Sequence, residues 1–449
     1  MKFIPNSNVK NQMLKEIGLN SINELFSDIP KKIILNELNL PIGLSQQETE
    51  KKLREISLKN KSFHNLTCFI GGGIKPHYVP SVVRSILSRS EFFSSYTPYQ
   101  SEASQGFLQA MFEYQSLISE LTKLEIANCS LYDSVTSLAE SALMCSRINK
   151  KKNFVIPESI SFDKKNVLRN YTKGSNINIK EVPFDLKSGK VDINKLEKVI
   201  DENTAGVYIE NPNFFGVFED QIDEIKKMIV DANSLFVVGI DLLSLGIVKS
   251  PGDYGADIVI GEGRSLGNSM DFGGSSLGIF SCKKDFLRQI PGRIMGLTKD
   301  NNGKRAFCMT LQTREQHIRR GRATSNICTN EGLCALAAVT YLSWLGSNGL
   351  ENIGKINYEN AQKLAKKIEE IKGFKKMFTS NHFNEFVIKA NVDPERLNKE
   401  LLKNNIQGGL VIDKWYPKLK NCMLFGISEI HSDSDIEKLI TRLKEVSNV

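Results

Sequence analysis

Between residues 125 and 290 short apolar runs alternate with stretches of helical periodicity, and this alternation restricts the fold more than any other feature of the chain. The strand candidates are Asn153 to Ile156, Ile177 to Val182, Gly206 to Glu210, Leu235 to Ile240, Asp257 to Ile260 and Leu277 to Phe280. Helical patterns fall at Thr136 to Ile148, Phe162 to Tyr171, Ile193 to Asp201 and Gln221 to Asn233. Strands that return by way of helices predict an α/β fold, a mostly parallel sheet covered on both faces. Ligands of such sheets sit outside the carboxyl ends of the strands. Asp241 and the turn after Ile260 fall at two of those ends.

With 449 residues the chain is too long for one core, so more than one domain is expected. Residues 1–60 read as a helical arm. Asn20-Ser21 precede Ile22 to Phe26, and Ser45-Gln46-Gln47-Glu48 has the form of a capping box ahead of Leu53, Ile56 and Leu58. Residues 61–330 form the large α/β domain, and 331–449 a small α+β domain. That last part has helical patterns from Glu331 to Leu345, over 358–371, 394–404 and 434–446, and strand-like Glu385 to Ala390, Leu410 to Ile412 and Cys422 to Phe425. A charged segment runs from about 290 to Ile327.

Composition excludes several classes. Hydrophobic content of 41% and charged content of 24% are ordinary for a globular protein. No run reaches the roughly 18–20 apolar residues that cross a bilayer, and Leu333 to Leu345 reads as a buried helix. The N-terminus lacks an apolar signal core, so no membrane association and a cytoplasmic location are expected. The eight cysteines form no CxxC pair and the five histidines are scattered, which predicts reduced, mostly buried thiols and no metal site. The net charge of +8 is spread along the chain, without a nucleic-acid motif. One denser patch, Arg305, Arg314, His317, Arg319, Arg320 and Arg322, reads as a solvated or inter-subunit face suited to an acidic protein.

Long strings then carry a specific likeness. Leu87 to Gly106 contains Ser94-Ser95-Tyr96-Thr97-Pro98-Tyr99-Gln100-Ser101-Glu102-Ala103-Ser104-Gln105-Gly106, and Ala127 to Ser134 reads ANCSLYDS. Thr310 to Arg320, Ala323 to Asn330, Phe3-Ile4-Pro5-Asn6 and Glu24 to Pro30 extend it over almost the whole chain. These strings resemble the glycine cleavage system P-protein, the aminomethyl-transferring glycine dehydrogenase. P-proteins occur as one very long chain or as two shorter subunits, and this length is similar to that of subunit 1, the alpha-type chain. The resemblance implies a type I pyridoxal phosphate (PLP)-dependent transferase fold. It also implies a lysine-bearing subunit 2 that binds PLP covalently, a heterotetramer, and the lipoyl-carrying H-protein and glycine as further partners.

A lysine is missing where such a fold would carry its Schiff base. After Ile258-Val259-Ile260 the chain reads Gly263-Arg264-Ser265-Leu266-Gly267, and none of the residues between Lys249 and Lys283 is a lysine. Ser265 falls at the lysine position and Arg264 at the preceding histidine. A serine has no amine, and a guanidinium stays protonated, so neither can attack an aldehyde. The resemblance therefore implies no catalytic residue of this chain's own and inactivity alone. Lys249 or Lys283 as an unconventional anchor is the alternative, and a purely structural partner subunit a third reading. Asp241 sits where the pyridine nitrogen would be met, and reads as a relic or a strand-end cap. Asp133 and Ser134 open the helix that would meet a phosphate, with Val135 departing from the small residues of the family. Tyr96, Thr97, Tyr99 and Gln100 form a Pro-stiffened loop suited to a substrate or interface pocket, with His77 and Tyr78 after Gly71-Gly72-Gly73 as companions.

Overall fold

The structure, a computed structural model, describes residues 7–35, 37–93 and 97–447. Tyr96 and the Phe3 to Asn6 string lie outside the described residues. The chain divides into two units, Met1–Lys61 and Ser62–Val449. In the first, helices cover Lys10–Glu16 and Gln46–Ser57. The second helix begins with the capping box read from the sequence. Ser45 Oγ accepts from the Glu48 N–H at 3.3 Å, and the Glu48 carboxylate accepts from the Ser45 N–H at 2.8 Å. Phe26, Ile33, Leu38, Ile42 and Leu58 of this unit are exposed.

The second unit is built on a seven-stranded sheet. Its strands are β1 (Ile126–Ala127), β2 (Asn153–Pro157), β3 (Asn178–Val182), β4 (Thr204–Glu210), β5 (Leu235–Asp241), β6 (Ile258–Glu262) and β7 (Gly278–Cys282), in the spatial order β1-β7-β6-β5-β4-β2-β3. β3, β2, β4, β5 and β6 run parallel, and β7 and β1 are antiparallel to their neighbours. The apolar runs are continuous because the sheet is buried on both sides. Val207 and Ile209 of β4, Val238 of β5 and Val259 of β6 face one core, with Leu108, Met111, Ile225 and Leu336. Tyr208, Val237, Ile258 and Ile260 face the other, with Leu138, Ala142, Cys145 and Leu168. Helices Gln105–Thr122, Ile222–Asp231 and Gly332–Glu369 supply the first layer, and Ser134–Asn149 and Phe162–Lys173 the second.

Two elements differ from the sequence reading. The charged segment after 290 contains an antiparallel hairpin, Ile294–Lys299 paired with Arg305–Thr310. Two amides on helix Gln105–Thr122 hold it. Gln115 accepts from the Met295 N–H at 2.8 Å and donates to its carbonyl at 3.0 Å, while Gln105 does the same for Phe307, both at 2.9 Å. The helical patterns at 331–345 and 358–371 belong to one stretch, Gly332–Glu369, broken at Gly346 (φ 65, ψ −178), a backbone state that a residue without Cβ adopts at little cost.

A four-stranded antiparallel sheet follows, in the order Phe374–Lys376, Glu385–Ala390, Cys422–Gly426, Leu410–Val411. Residues just past Lys61 pack beside it, in a separate two-stranded parallel sheet. Thr67–Cys68 pairs with Ile406–Gln407, and Phe69 is buried with Phe386, Ile388, Met423 and Phe425. The excursion after β4 also joins this region, since the Phe383 N–H donates to the Gly216 carbonyl at 2.8 Å and Val217 bridges to His382.

His382 makes that junction sensitive to acid. The residue is 2% exposed, its ring centroid lies 5.0 Å from that of Phe386, and burial lowers its pKa from 6.5 to about 4. Between those two values the unfolded chain takes up a proton that the folded chain refuses. Stability is therefore fully present above pH 6.5 and should fall as pH drops to 4, by on the order of 3 kcal/mol. Denaturation midpoints of the parent and of His382→Gln, measured across that window, check this. Parallel curves for the two proteins would refute it.

Candidate functional site

Three adjacent parallel strands end in acids, Glu210 on β4, Asp241 on β5 and Glu262 on β6, and all three line one cavity of ≈ 510 Å³. Asp133, Ser134, Arg264, Ser265, His77 and the Gly71 to Gly73 turn line it as well. The carboxyl-end rule thus brings most of the residues singled out from the sequence to one place.

Much of the polar lining is paired within the chain, although among the described residues Arg264 Nε and Asn384 Nδ2 have no partner. Asp133 Oδ1 accepts from the Thr136 N–H at 2.6 Å, and Glu262 Oε2 accepts from the Ser134 N–H at 3.2 Å. Two of the backbone donors in the first turn of helix Ser134–Asn149, those of Ser134 and Thr136, therefore already meet the chain's own carboxylates. Glu262 also accepts from the Leu277 N–H at 2.8 Å and the Arg264 N–H at 3.2 Å. Burial raises its pKa, opposed by the Arg264 guanidinium and by these N–H groups. Asp241 caps its own strand end, accepting from the Leu243 N–H at 2.9 Å. Two cavity lysines are paired: Lys164 with Glu210, which also accepts from the Tyr208 hydroxyl at 2.8 Å, and Lys75 with Glu385 at 3.0 Å. Neither Lys249 nor Lys283 lines the cavity, and Lys283 Nζ lies 2.5 Å from Asp257.

These residues do not fit covalent attachment of an aldehyde cofactor. Ser265 offers no amine, and the two cavity lysines are each paired with a carboxylate. His77 lies at the rim of the same cavity, its Nδ1 3.0 Å from Glu429 Oε2. Burial opposes ionisation of Glu429, but the imidazole and the Tyr78 N–H, which donates at 2.8 Å, bring its carboxyl down to about 2. The Tyr78 side chain is exposed.

The Thr97 to Gln100 loop lies elsewhere, since none of its residues lines that cavity. Pro98 is buried, while Tyr99 and Gln100 are exposed. The Tyr99 hydroxyl accepts from Arg293 Nη2 at 3.2 Å, and Thr97 Oγ1 from Nη1 at 3.4 Å. His77 and the Tyr78 N–H thus meet Glu429, whereas Thr97 and Tyr99 meet Arg293. Within the basic patch Arg314 departs from a solvated role. It is half-buried and donates to the carbonyls of Ile290 and Gly292. The sequence reading missed Glu262, Lys164 and Arg293. Glu262 ends the observed strand two residues past the Ile260 expected from sequence, and nothing local marks Arg293.

A three-layer α/β unit with a cavity at its strand ends and a small C-terminal sheet defines the class: the fold is that of type I PLP-dependent transferases. Sphingosine-1-phosphate lyase Bpss2021 of Burkholderia pseudomallei K96243 shares this fold at 13% identity and TM-score 0.67, over 92% of this chain and 93% of that one. The chain belongs to the glycine cleavage system P-protein family, whose model matches residues 1–443. It is 47% identical to the probable glycine dehydrogenase (decarboxylating) subunit 1 of Thermococcus kodakarensis, over 99% of this chain and 98% of the relative. The Pyrococcus horikoshii protein of the same name is also 47% identical, over 99% of both. A crystal structure of glycine decarboxylase (P-protein) of the glycine cleavage system, in inhibitor-bound form, superposes with TM-score 0.91 at 38% identity, covering 99% of this chain and 100% of that one.

Proposed function

We propose that the chain works as subunit 1 of a two-chain glycine dehydrogenase, beside a second subunit that carries the lysine and binds PLP covalently. The observation that carries this reading is the strand-end cavity, where Asp133 and Glu262 accept from the helix N-terminus and Ser265 stands where the resemblance puts the anchoring lysine. A chain so built offers no amine there for covalent attachment, which supports a reading in which the reactive ring is anchored by the partner. In the assembled enzyme the cofactor would supply the electron sink for decarboxylation of glycine. The aminomethyl group would then pass to the lipoyl arm of H-protein. This chain's part is to present the Thr97 to Gln100 loop to the partner's pocket, to offer the Tyr99 hydroxyl there and to keep water out. Two copies of each chain, in the cytoplasm, complete the reading.

The purified chain should develop no visible absorbance with PLP and release no labelled carbon dioxide from carboxyl-labelled glycine. Adding a lysine-bearing second subunit and lipoylated H-protein should produce that release. A borohydride-trapped adduct on Lys249, Lys283 or any other lysine of this chain would instead establish an autonomous enzyme. If Tyr99→Phe leaves turnover unchanged in an intact complex, a purely structural subunit becomes the better description.

A further inference from the structure

Arg293 is 3% exposed, and among the described residues no carboxylate lies within ion-pair reach of it. Among the described residues its guanidinium has only neutral acceptors, namely Tyr99 Oη at 3.2 Å, Thr97 Oγ1 at 3.4 Å and Asn330 Oδ1 at 3.5 Å, and Nε has none. The group also lies 5.5 Å from the centre of the Tyr99 ring. Its own backbone is fixed from both sides. The Arg293 carbonyl accepts from the Cys129 N–H at 2.9 Å, and the neighbouring Gly292 carbonyl accepts from Arg314 Nη2 at 3.0 Å. Asn330 is anchored in turn, donating to the Cys129 carbonyl at 3.0 Å.

A buried guanidinium without an anion is a poor way to stabilise a fold, because its desolvation is not offset by an opposite charge. A methionine would fill the same space without that penalty. What the guanidinium alone supplies is a rigid fork that reaches two loop residues at once. One of them, Tyr99, is 53% exposed, so its ring faces outward while its hydroxyl is held from within. His317 meets the same ring edge-on, with centroids 6.5 Å apart.

We propose that Arg293 is a positioning residue that locks Thr97 and Tyr99 in the geometry the assembled enzyme needs. This rests on the function proposed above, in which that loop completes the partner's pocket. Misplacing such a group by about 1 Å costs on the order of a hundredfold in rate.

The test uses the reconstituted complex of both chains and, in parallel, this chain alone. Arg293→Met should leave assembly intact and lower kcat for glycine about ten- to a hundredfold, with KM moved less than about threefold. Arg293→Lys, with one point charge in place of a fork, should recover only part of the loss. Combining Arg293→Met with Tyr99→Phe should cost no more than the worse single change, as expected for two residues acting as one unit. In the isolated chain, amide exchange over residues 97–104 should quicken in Arg293→Met while the sheet stays protected. Should Arg293→Met fail to fold, Thr97→Val with Tyr99→Phe removes the same contacts from the loop side and must reproduce the loss. Turnover within twofold of the parent in an intact complex, fully additive effects or unchanged exchange would each overturn the proposal. An inactive parent complex overturns the function proposed above, and is told apart because it needs no substitution at all.

Discussion

Glu385→Ala should lower the stability of the chain by about 3–5 kcal/mol, the usual cost of stranding one member of a buried ion pair. The Lys75 and Glu385 side chains are 3% and 9% exposed, and their atoms lie 3.0 Å apart. Glu385 Oε1 also accepts from the Gly73 N–H at 2.8 Å. Its removal leaves a buried ammonium unpaired and frees a backbone donor, both on the wall of the strand-end cavity. Two companions separate these contributions. Glu385→Gln keeps an acceptor for Gly73 but not the charge, so it should still cost more than half as much. Glu385→Ala with Lys75→Met removes the stranded charge and should recover most of the loss. Urea midpoints decide the matter, and equal midpoints for the single and double variants would contradict this account.

Gly216→Ala should be at least as damaging. Its φ of +81 is one that L side chains rarely adopt, and an added Cβ would sit 1.9 Å from the Glu385 carbonyl oxygen and 2.5 Å from its carbon. Both obstacles are backbone, so no rotamer change can relieve them. The Gly216 N–H and carbonyl are engaged as well, with Asn213 and Phe383 at 2.8 Å each. A loss above about 4 kcal/mol, or no recoverable folded protein, is expected. Gly106→Ala serves as the control. That residue lies in helix Gln105–Thr122 with open space around its would-be Cβ, so the change should be neutral or stabilising by up to about 1 kcal/mol. Similar thermal midpoints for the two variants would defeat the argument.

The inner strands of the sheet were legible from sequence because they are buried on both faces and therefore read as apolar runs, as at Val207 to Ile209. Their carboxyl ends then placed Asp241 and Ser265 at one cavity without any structural information. The hairpin at Ile294–Lys299 was not legible, because amides from Gln105 and Gln115, nearly two hundred residues away, hold it in place. The occupied helix N-terminus was half legible. Asp133 caps locally, as its position before the helix suggests, but Glu262 reaches Ser134 across 128 residues of chain. Arg293 stands alone before Ile294, and only the fold sets it beneath Thr97 and Tyr99. Nothing local pairs His77 with Glu429, which lies in the C-terminal part of the chain.

Asp133 and Glu262 have one more consequence, which concerns mass action. A protein that binds its cofactor only when folded gains stability with the logarithm of the free cofactor concentration. Here the carboxyl groups that meet the helix N-terminus are covalently part of the chain and independent of supply. If the partner alone binds the cofactor, as proposed above, the folding equilibrium of this chain carries no cofactor term. In a two-chain assembly, scarcity of the cofactor would be felt by the partner alone, with this subunit standing as a scaffold already at full strength.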